Sequence, residues 1–244
     1  MNIKRALRHP GPYVKIASER FRNFLRSHLY KGKAVHCQIC EWKGKKFFNG
    51  KCPKCGSLAR TRLIPFALEH FKLVRPEIKI LHIAPNLNEY DFIRRTINDS
   101  VAYDRLNIRS VPHINIVQDI TNTDLKSESY DLAMAWHVLE HIKEDRKAIA
   151  EVKRLLKPGG HFLVSVPIFP LESPATFEDD SIPYEKYEEM HGHYDHCRSC
   201  GLDYYQRFED AGYSTRTLMI KDIGEQIKSK YGLFEHHVVW CFDT

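Results

Sequence analysis

From Tyr130 to Pro167 the spacing of apolar and polar residues changes twice. Leu132 to Trp136 is almost wholly apolar, the pattern of a parallel strand buried on both faces. From Glu144 the apolar residues move to helical spacing, with Ala148, Ile149, Val152, Leu155 and Leu156 on one stripe. Glu144 and Asp145 fall in the first turn and Lys153, Arg154 and Lys157 in the last, as the helix dipole favours. Pro158-Gly159-Gly160 ends the helix, and Phe162 to Val166 starts a second apolar strand. The stretch is one strand–helix–strand unit of a parallel sheet.

Before it, Ile78 to Ala84, Ser100 to Asp104 and Ile114 to Val117 read as strands, and Leu58 to Leu73 as a bridging helix. After it comes a long irregular segment, Ile168 to Leu202. Then follow a helix from Tyr204 to Ala211 ended by Gly212, a strand from Ser214 to Ile220, a helix from Lys221 to Lys230 and a strand from His236 to Phe242. At the front, Tyr13 to Tyr30 has helical spacing, with Phe21, Phe24, Leu25 and Leu29 on a stripe among basic residues. Such a stripe is expected to pack on its own protein; an anionic membrane or nucleic acid is the alternative.

Cysteine placement adds a second, smaller unit. Cys37-x-x-Cys40 and Cys52-x-x-Cys55 are separated by eleven residues, and two such knuckles supply the four sulfurs of a tetrahedral structural zinc site. The residues between them are enough for a short hairpin, so residues 34–62 read as a zinc ribbon. Four thiolates close the coordination sphere, which makes the Zn²⁺ structural rather than catalytic. His36 has no role there. Cys197-x-x-Cys200 lacks a matching second pair and reads as two ordinary thiols, with a second metal site as the alternative.

The 244 residues accommodate one large α/β domain at 63–244 and a small appendage, with 1–33 as a basic N-terminal segment. No apolar run approaches the length of a membrane span, and the N-terminus lacks a signal peptide's apolar core. Paired CxxC spacing fits a reducing compartment, so a cytoplasmic location is expected. The net charge is +6, but residues 1–62 hold sixteen Lys and Arg against Glu19 and Glu41. A basic front on an acidic body suggests a polyanionic partner; a solvated surface is the alternative. Lys43, Lys45, Lys46, Lys51, Lys54, Arg60 and Arg62 would serve a phosphate contact.

Asp131, His137-Val138-Leu139-Glu140-His141 and Arg154-Leu155-Leu156-Lys157-Pro158-Gly159-Gly160 resemble the segment after the cofactor site in class I S-adenosylmethionine-dependent methyltransferases. The likeness spans about forty contiguous residues, with weaker matches over most of 78–244. It implies a Rossmann-like sheet of seven strands, the last one antiparallel, with helices on both faces.

The resemblance places His82, Ala84, Pro85 and Asn86, at the end of the first strand, beside the cofactor. Here the sequence departs from the family's glycine-rich loop, having no glycine at all. Asp104 resembles the acid that binds the cofactor's ribose, Asp119 the residue facing the adenine amino group, and Ile120 the residue packed on the ring. His137 is expected to face the cofactor or the transferred methyl. Glu140 and His141 are expected to cap or anchor the next helix.

In related methyltransferases the segment after the fifth strand covers the acceptor, so 168–202 is the expected acceptor loop. His193, Asp195 and His196 are candidates for acceptor binding or proton removal, together with Arg198. Three functions remain open on these residues: methyl transfer to an unidentified acceptor such as RNA, methyl transfer to a small molecule or glycan/lipid intermediate, or a catalytically degenerate ribbon-based binding protein.

Overall fold

The computed structural model describes residues 21–97 and 102–244. Residues 13–20 of the expected N-terminal helix and the start of the strand expected at Ser100 lie outside the described residues.

Residues 21–29 are helical. Among the described residues their apolar stripe finds little cover: Phe21, Phe24 and Leu29 are 61%, 58% and 72% exposed. The face turned inward carries Ser27, whose carbonyl accepts the Trp42 indole N–H at 2.9 Å. Next, β1 (Lys31–Cys37) and β2 (Trp42–Gly44) form an antiparallel hairpin that begins before the expected ribbon boundary at residue 34. Val35, Ile39 and Trp42 make a small core around Cys37 and Cys52.

The body is built from α1 (Ala59–His70), β3 (Ile80–Ile83), α2 (Leu87–Thr96), β4 (Tyr103–Asn107), β5 (Ile116–Val117), β6 (Tyr130–Trp136), α3 (Asp145–Leu155) and β7 (Leu156–Ser165). It continues with α4 (Tyr187–His191), α5 (Gln206–Asp210), β8 (Ser214–Met219), α6 (Glu225–Tyr231) and β9 (Val238–Asp243). The seven strands run in the order β5-β4-β3-β6-β7-β9-β8. Neighbours from β5 to β7 are parallel, and β9 is antiparallel to both β7 and β8.

Alternation along β6 divides the core. Ala133 and Ala135 face one layer with Ile149 and Val152 of α3 and Phe208 of α5. Leu132, Met134 and Trp136 face the other with Leu63 and Ala67 of α1 and Ile93 of α2. The sheet is thus covered on both sides, which is why β6 lacks an apolar/polar alternation. β7 begins where α3 ends, earlier than the expected strand at Phe162. Pairing jumps from Tyr130↔Leu156 to Leu132↔His161, and this irregularity absorbs Pro158-Gly159-Gly160. Gly159 has φ +72°, the left-handed backbone that its missing Cβ allows.

Arg62 ties the cysteine-bearing segment to the body of the fold. Arg62, expected at a phosphate, is instead fully buried. Its guanidinium donates to the carbonyls of Gly50, Ser57, Tyr231 and Gly232 at 2.7–3.0 Å and lies over the Phe47 ring. Lys43, Lys45, Lys46, Lys51, Lys54 and Arg60 are exposed. Among the described residues no helix is long and apolar enough to cross a membrane.

Candidate active site

The order of the sheet reverses between β3 and β6, and such a switch point opens a crevice at the strands' C-terminal ends. A cleft of about 620 Å³ lies there, lined by Ile83 and Ala84 after β3, Leu106 and Asn107 of β4, Asp119 and Ile120 after β5, and His137 after β6. Across from them stand His141, Lys143 and Asp195.

Of the residues the resemblance placed at the cofactor, Ala84, Asp119, Ile120 and His137 line this cleft, whereas His82, Pro85, Asn86 and Asp104 do not. His82 is buried inside β3, with Nδ1 hydrogen-bonded to the Tyr103 hydroxyl at 2.9 Å. The Pro85 carbonyl accepts from His113 Nε2. Asn86 caps α2: its side chain accepts from the N–H groups of Asn88 and Glu89, and Glu89 accepts from the Asn86 N–H, a reciprocal capping box. That helix was not expected, although Asn86 and Glu89 carry its start signal.

Asp104 is the clearest displacement. β4 continues three residues beyond the expected strand end, so Asp104 pairs with Leu81 in mid-strand. Its carboxylate accepts from the Tyr130 hydroxyl and the Asn115 amide, both at 2.9 Å. The residue at the end of β4 and in the cleft is Asn107. The alternation was ambiguous because β4 has only Tyr103 and Leu106 fully buried.

The glycine-free turn is accounted for by Ala84. It takes φ +49°, the left-handed conformation usually left to glycine, at a cost of roughly 1–2 kcal/mol. The turn is therefore kept without a glycine.

His137 also has a left-handed backbone, φ +54°, and its N–H donates to the Ser165 carbonyl at 2.8 Å. It lines the cleft and also a second cavity of about 320 Å³. Asn49, Gly50, Leu58, Ala59 and Arg60 wall that cavity on the ribbon side; Pro167, Ile168, Leu171, Phe234, His236 and His237 complete it. Burial holds the His137 and His237 imidazoles below the usual histidine range, His237 at about 3. His237 is therefore neutral at pH 7.

The acceptor-loop candidates divide. His193 Nδ1 contacts the Asp195 carboxylate, and both lie within reach of His196. Asp195 lines the cleft at the strands' C-terminal ends. Arg198 is a framework residue instead. It is buried, paired with Glu178 at 2.9 Å, and donates to the carbonyls of Leu139, Ile142 and Lys143. Glu140 and His141 do not cap α3, which has no side-chain cap. They sit in a short 3₁₀ turn, Leu139–His141, with His141 in the cleft wall. Cys197 points its thiol at the Glu140 carbonyl and Cys200 is buried in the main core; neither joins a metal-type cluster among the described residues.

In the ribbon, Cys37, Cys40, Cys52 and Cys55 converge. The Cys37–Cys55 and Cys40–Cys52 sulfur separations are 3.8 and 3.7 Å. A tetrahedron with Zn–S bonds of about 2.3 Å has edges of about 3.8 Å, so the donor set fits a closed four-thiolate site. His36 stands aside, paired with Glu41 at 2.9 Å.

Residues 92–164 match the family described as a methyltransferase domain. No curated protein matches the chain. Among solved structures, a SAM dependent methyltransferase from Archaeoglobus fulgidus gives a TM-score of 0.53 at 12% identity, covering 75% of this chain and 94% of that one. An S-adenosylmethionine dependent methyltransferase from Mesorhizobium loti gives 0.52 at 15% identity, covering 73% and 96%. The 1,6-didemethyltoxoflavin-N1-methyltransferase of Burkholderia thailandensis, solved with S-adenosylhomocysteine, gives 0.50 at 13% identity, covering 76% and 78%. The chain thus has the fold of the class I S-adenosylmethionine-dependent methyltransferases.

Proposed function

We propose that the protein is an S-adenosylmethionine-dependent methyltransferase whose acceptor enters the cavity between sheet and ribbon. The observation that carries this is the position of His137, shared by the cleft and the second cavity. Donor and acceptor meet at one residue.

The cleft fits the cofactor's chemistry. Ile83, Leu106 and Ile120 offer apolar surface for a base, and Asn107 a polar group for ribose hydroxyls. Asp119 uses Oδ1 for the N–H and hydroxyl of Thr121, which leaves Oδ2 to accept from an amino group. S-adenosylmethionine supplies an electrophilic methyl on a positively charged sulfur. The chain's own contribution is to align the acceptor with that methyl and to exclude water, largely an orientation effect. For an acceptor that must lose a proton and that reaches into the cleft beside Asp195, His193 oriented by Asp195 is the candidate base.

A cavity of this size suits a small molecule, or a single ring of a larger one. The ribbon is then a pocket wall held by structural Zn²⁺ on its four cysteines. RNA is the second reading, favoured by Arg60 at the cavity and the exposed ribbon lysines. The test is incubation of zinc-loaded protein and methyl-labelled cofactor with separated small-molecule and RNA fractions. Label in small molecules, insensitive to salt between about 50 and 200 mM, is expected. Label confined to RNA and falling steeply over that range establishes the second reading. With no label in either fraction and no cofactor bound, the chain is a ribbon-based binding protein.

A further inference from the structure

Glu140 is 1% exposed, yet neither of its carboxylate oxygens has a hydrogen-bond partner among the described residues. A buried carboxylate without a donor costs several kcal/mol unless something positive faces it. Three imidazoles surround it. Oε1 lies 3.5 Å from His137 Nδ1, 3.8 Å from His141 Nε2 and 4.0 Å from His196 Nε2. These separations are too long for hydrogen bonds.

The outer nitrogens of two of these rings face backbone carbonyls. His141 Nδ1 donates to the Asp195 carbonyl at 3.0 Å, and His196 Nδ1 to the His191 carbonyl at 3.3 Å. With Nδ1 protonated, each neutral ring presents a bare Nε2 lone pair. Two lone pairs and a carboxylate then converge on one point. An N–H held by a carbonyl is also what fixes a metal-binding histidine's tautomer and orientation.

The turn and loop that carry the three donors are held in place by neighbouring groups. Arg198 ties down the carbonyls of Leu139, Ile142 and Lys143 around the turn that carries Glu140 and His141. The Cys197 N–H and thiol both donate to the Glu140 carbonyl. The turn and the acceptor loop are thereby clamped together, the kind of support a preformed ligand set requires.

We propose that Glu140, His141 and His196 bind a divalent first-row transition ion such as Mn²⁺, Co²⁺ or Zn²⁺. Two imidazoles and one carboxylate suit such ions and leave coordination positions open. The ligand atoms all lie within 4.8 Å of one another. Bonds of about 2.0–2.2 Å require ligand spacings of roughly 3.0–3.5 Å, so binding draws the side chains inward by about half an ångström to one ångström. His141 borders the cleft assigned to the cofactor, so the open positions face that cleft, an inference that rests on the methyltransferase reading.

The experiment uses the full chain with its ribbon loaded with zinc, equilibrated with Mn²⁺ and assayed for metal per chain and for the spin-resonance signal of immobilised Mn²⁺. One Mn²⁺ per chain is expected. Near-isosteric Glu140→Gln and His196→Gln should weaken it at least about tenfold while melting within a few degrees of the parent protein. No Mn²⁺ or Co²⁺ retained at about 1 mM, or retention unchanged in both variants, overturns the site. Cofactor titration of the same samples separates the two proposals. Cofactor binding without metal removes only the metal site; metal without cofactor binding removes only the methyltransferase reading.

Discussion

His137 Nδ1 lies 3.5 Å from Glu140 Oε1, and this contact joins the wall of the cleft at the strands' C-terminal ends to a buried carboxylate. Because His137 also lines the second cavity, proposed above to take the acceptor, its removal should affect donor and acceptor together. We expect His137→Ala to weaken S-adenosylmethionine binding about tenfold, or 1.4 kcal/mol, by calorimetry. Unchanged binding and turnover would place the reaction elsewhere.

On the proposed reading Asn107, which lines the cleft, takes the cofactor contact expected of Asp104, which does not. Asn107→Ala should weaken cofactor binding. Asp104→Ala should leave it intact but cost about 1–2 kcal/mol of stability, since the Tyr130 hydroxyl loses its acceptor. Urea unfolding and cofactor titration on both variants check this; loss of binding in Asp104→Ala alone would reverse the assignment.

Much of the fold was legible because its signals are local. The α3 stripe, the β6 apolar run and the paired cysteines each need only a few neighbouring residues. What was missed depends on register or on distant partners. Asp104 was misplaced because β4 runs on to Asn107, and an acid at a strand's apparent end gives no warning. Arg62 read as a surface cation because its four carbonyl partners come partly from residues 231 and 232. Glu140 and His141 read as helix anchors because the loop that completes their cluster lies more than fifty residues further on.

Arg62 makes the ribbon's attachment testable. Arg62→Met removes a buried cation and leaves the carbonyls of Gly50, Ser57, Tyr231 and Gly232 without donors. Chemical denaturation should show a loss of more than about 3 kcal/mol. A loss within the range of surface substitutions would mean that the ribbon docks by other contacts.

Glu89 gives a pH signature. Burial pushes its carboxyl up to about 8, only partly offset by the Asn86 N–H. The folded protein therefore keeps a proton that the unfolded chain releases above about pH 4.3. Since the folded state binds more protons, stability falls as pH rises from there to about 8, and the group's penalty is absent below that window. Glu89→Gln should stabilise the protein on the order of 3 kcal/mol at pH 8 and hardly at all at pH 4.5. Melting curves at the two pH values decide it; equal shifts would mean Glu89 is ionised in the fold.

The most direct measurement is a calorimetric titration of zinc-loaded protein with S-adenosylmethionine, alongside Asn107→Ala. One site of micromolar affinity, weakened at least about tenfold by the substitution, is the result predicted by a cofactor in the β3–β4–β6 cleft. No heat at about 1 mM cofactor would contradict it and leave the ribbon as the functional part of the chain.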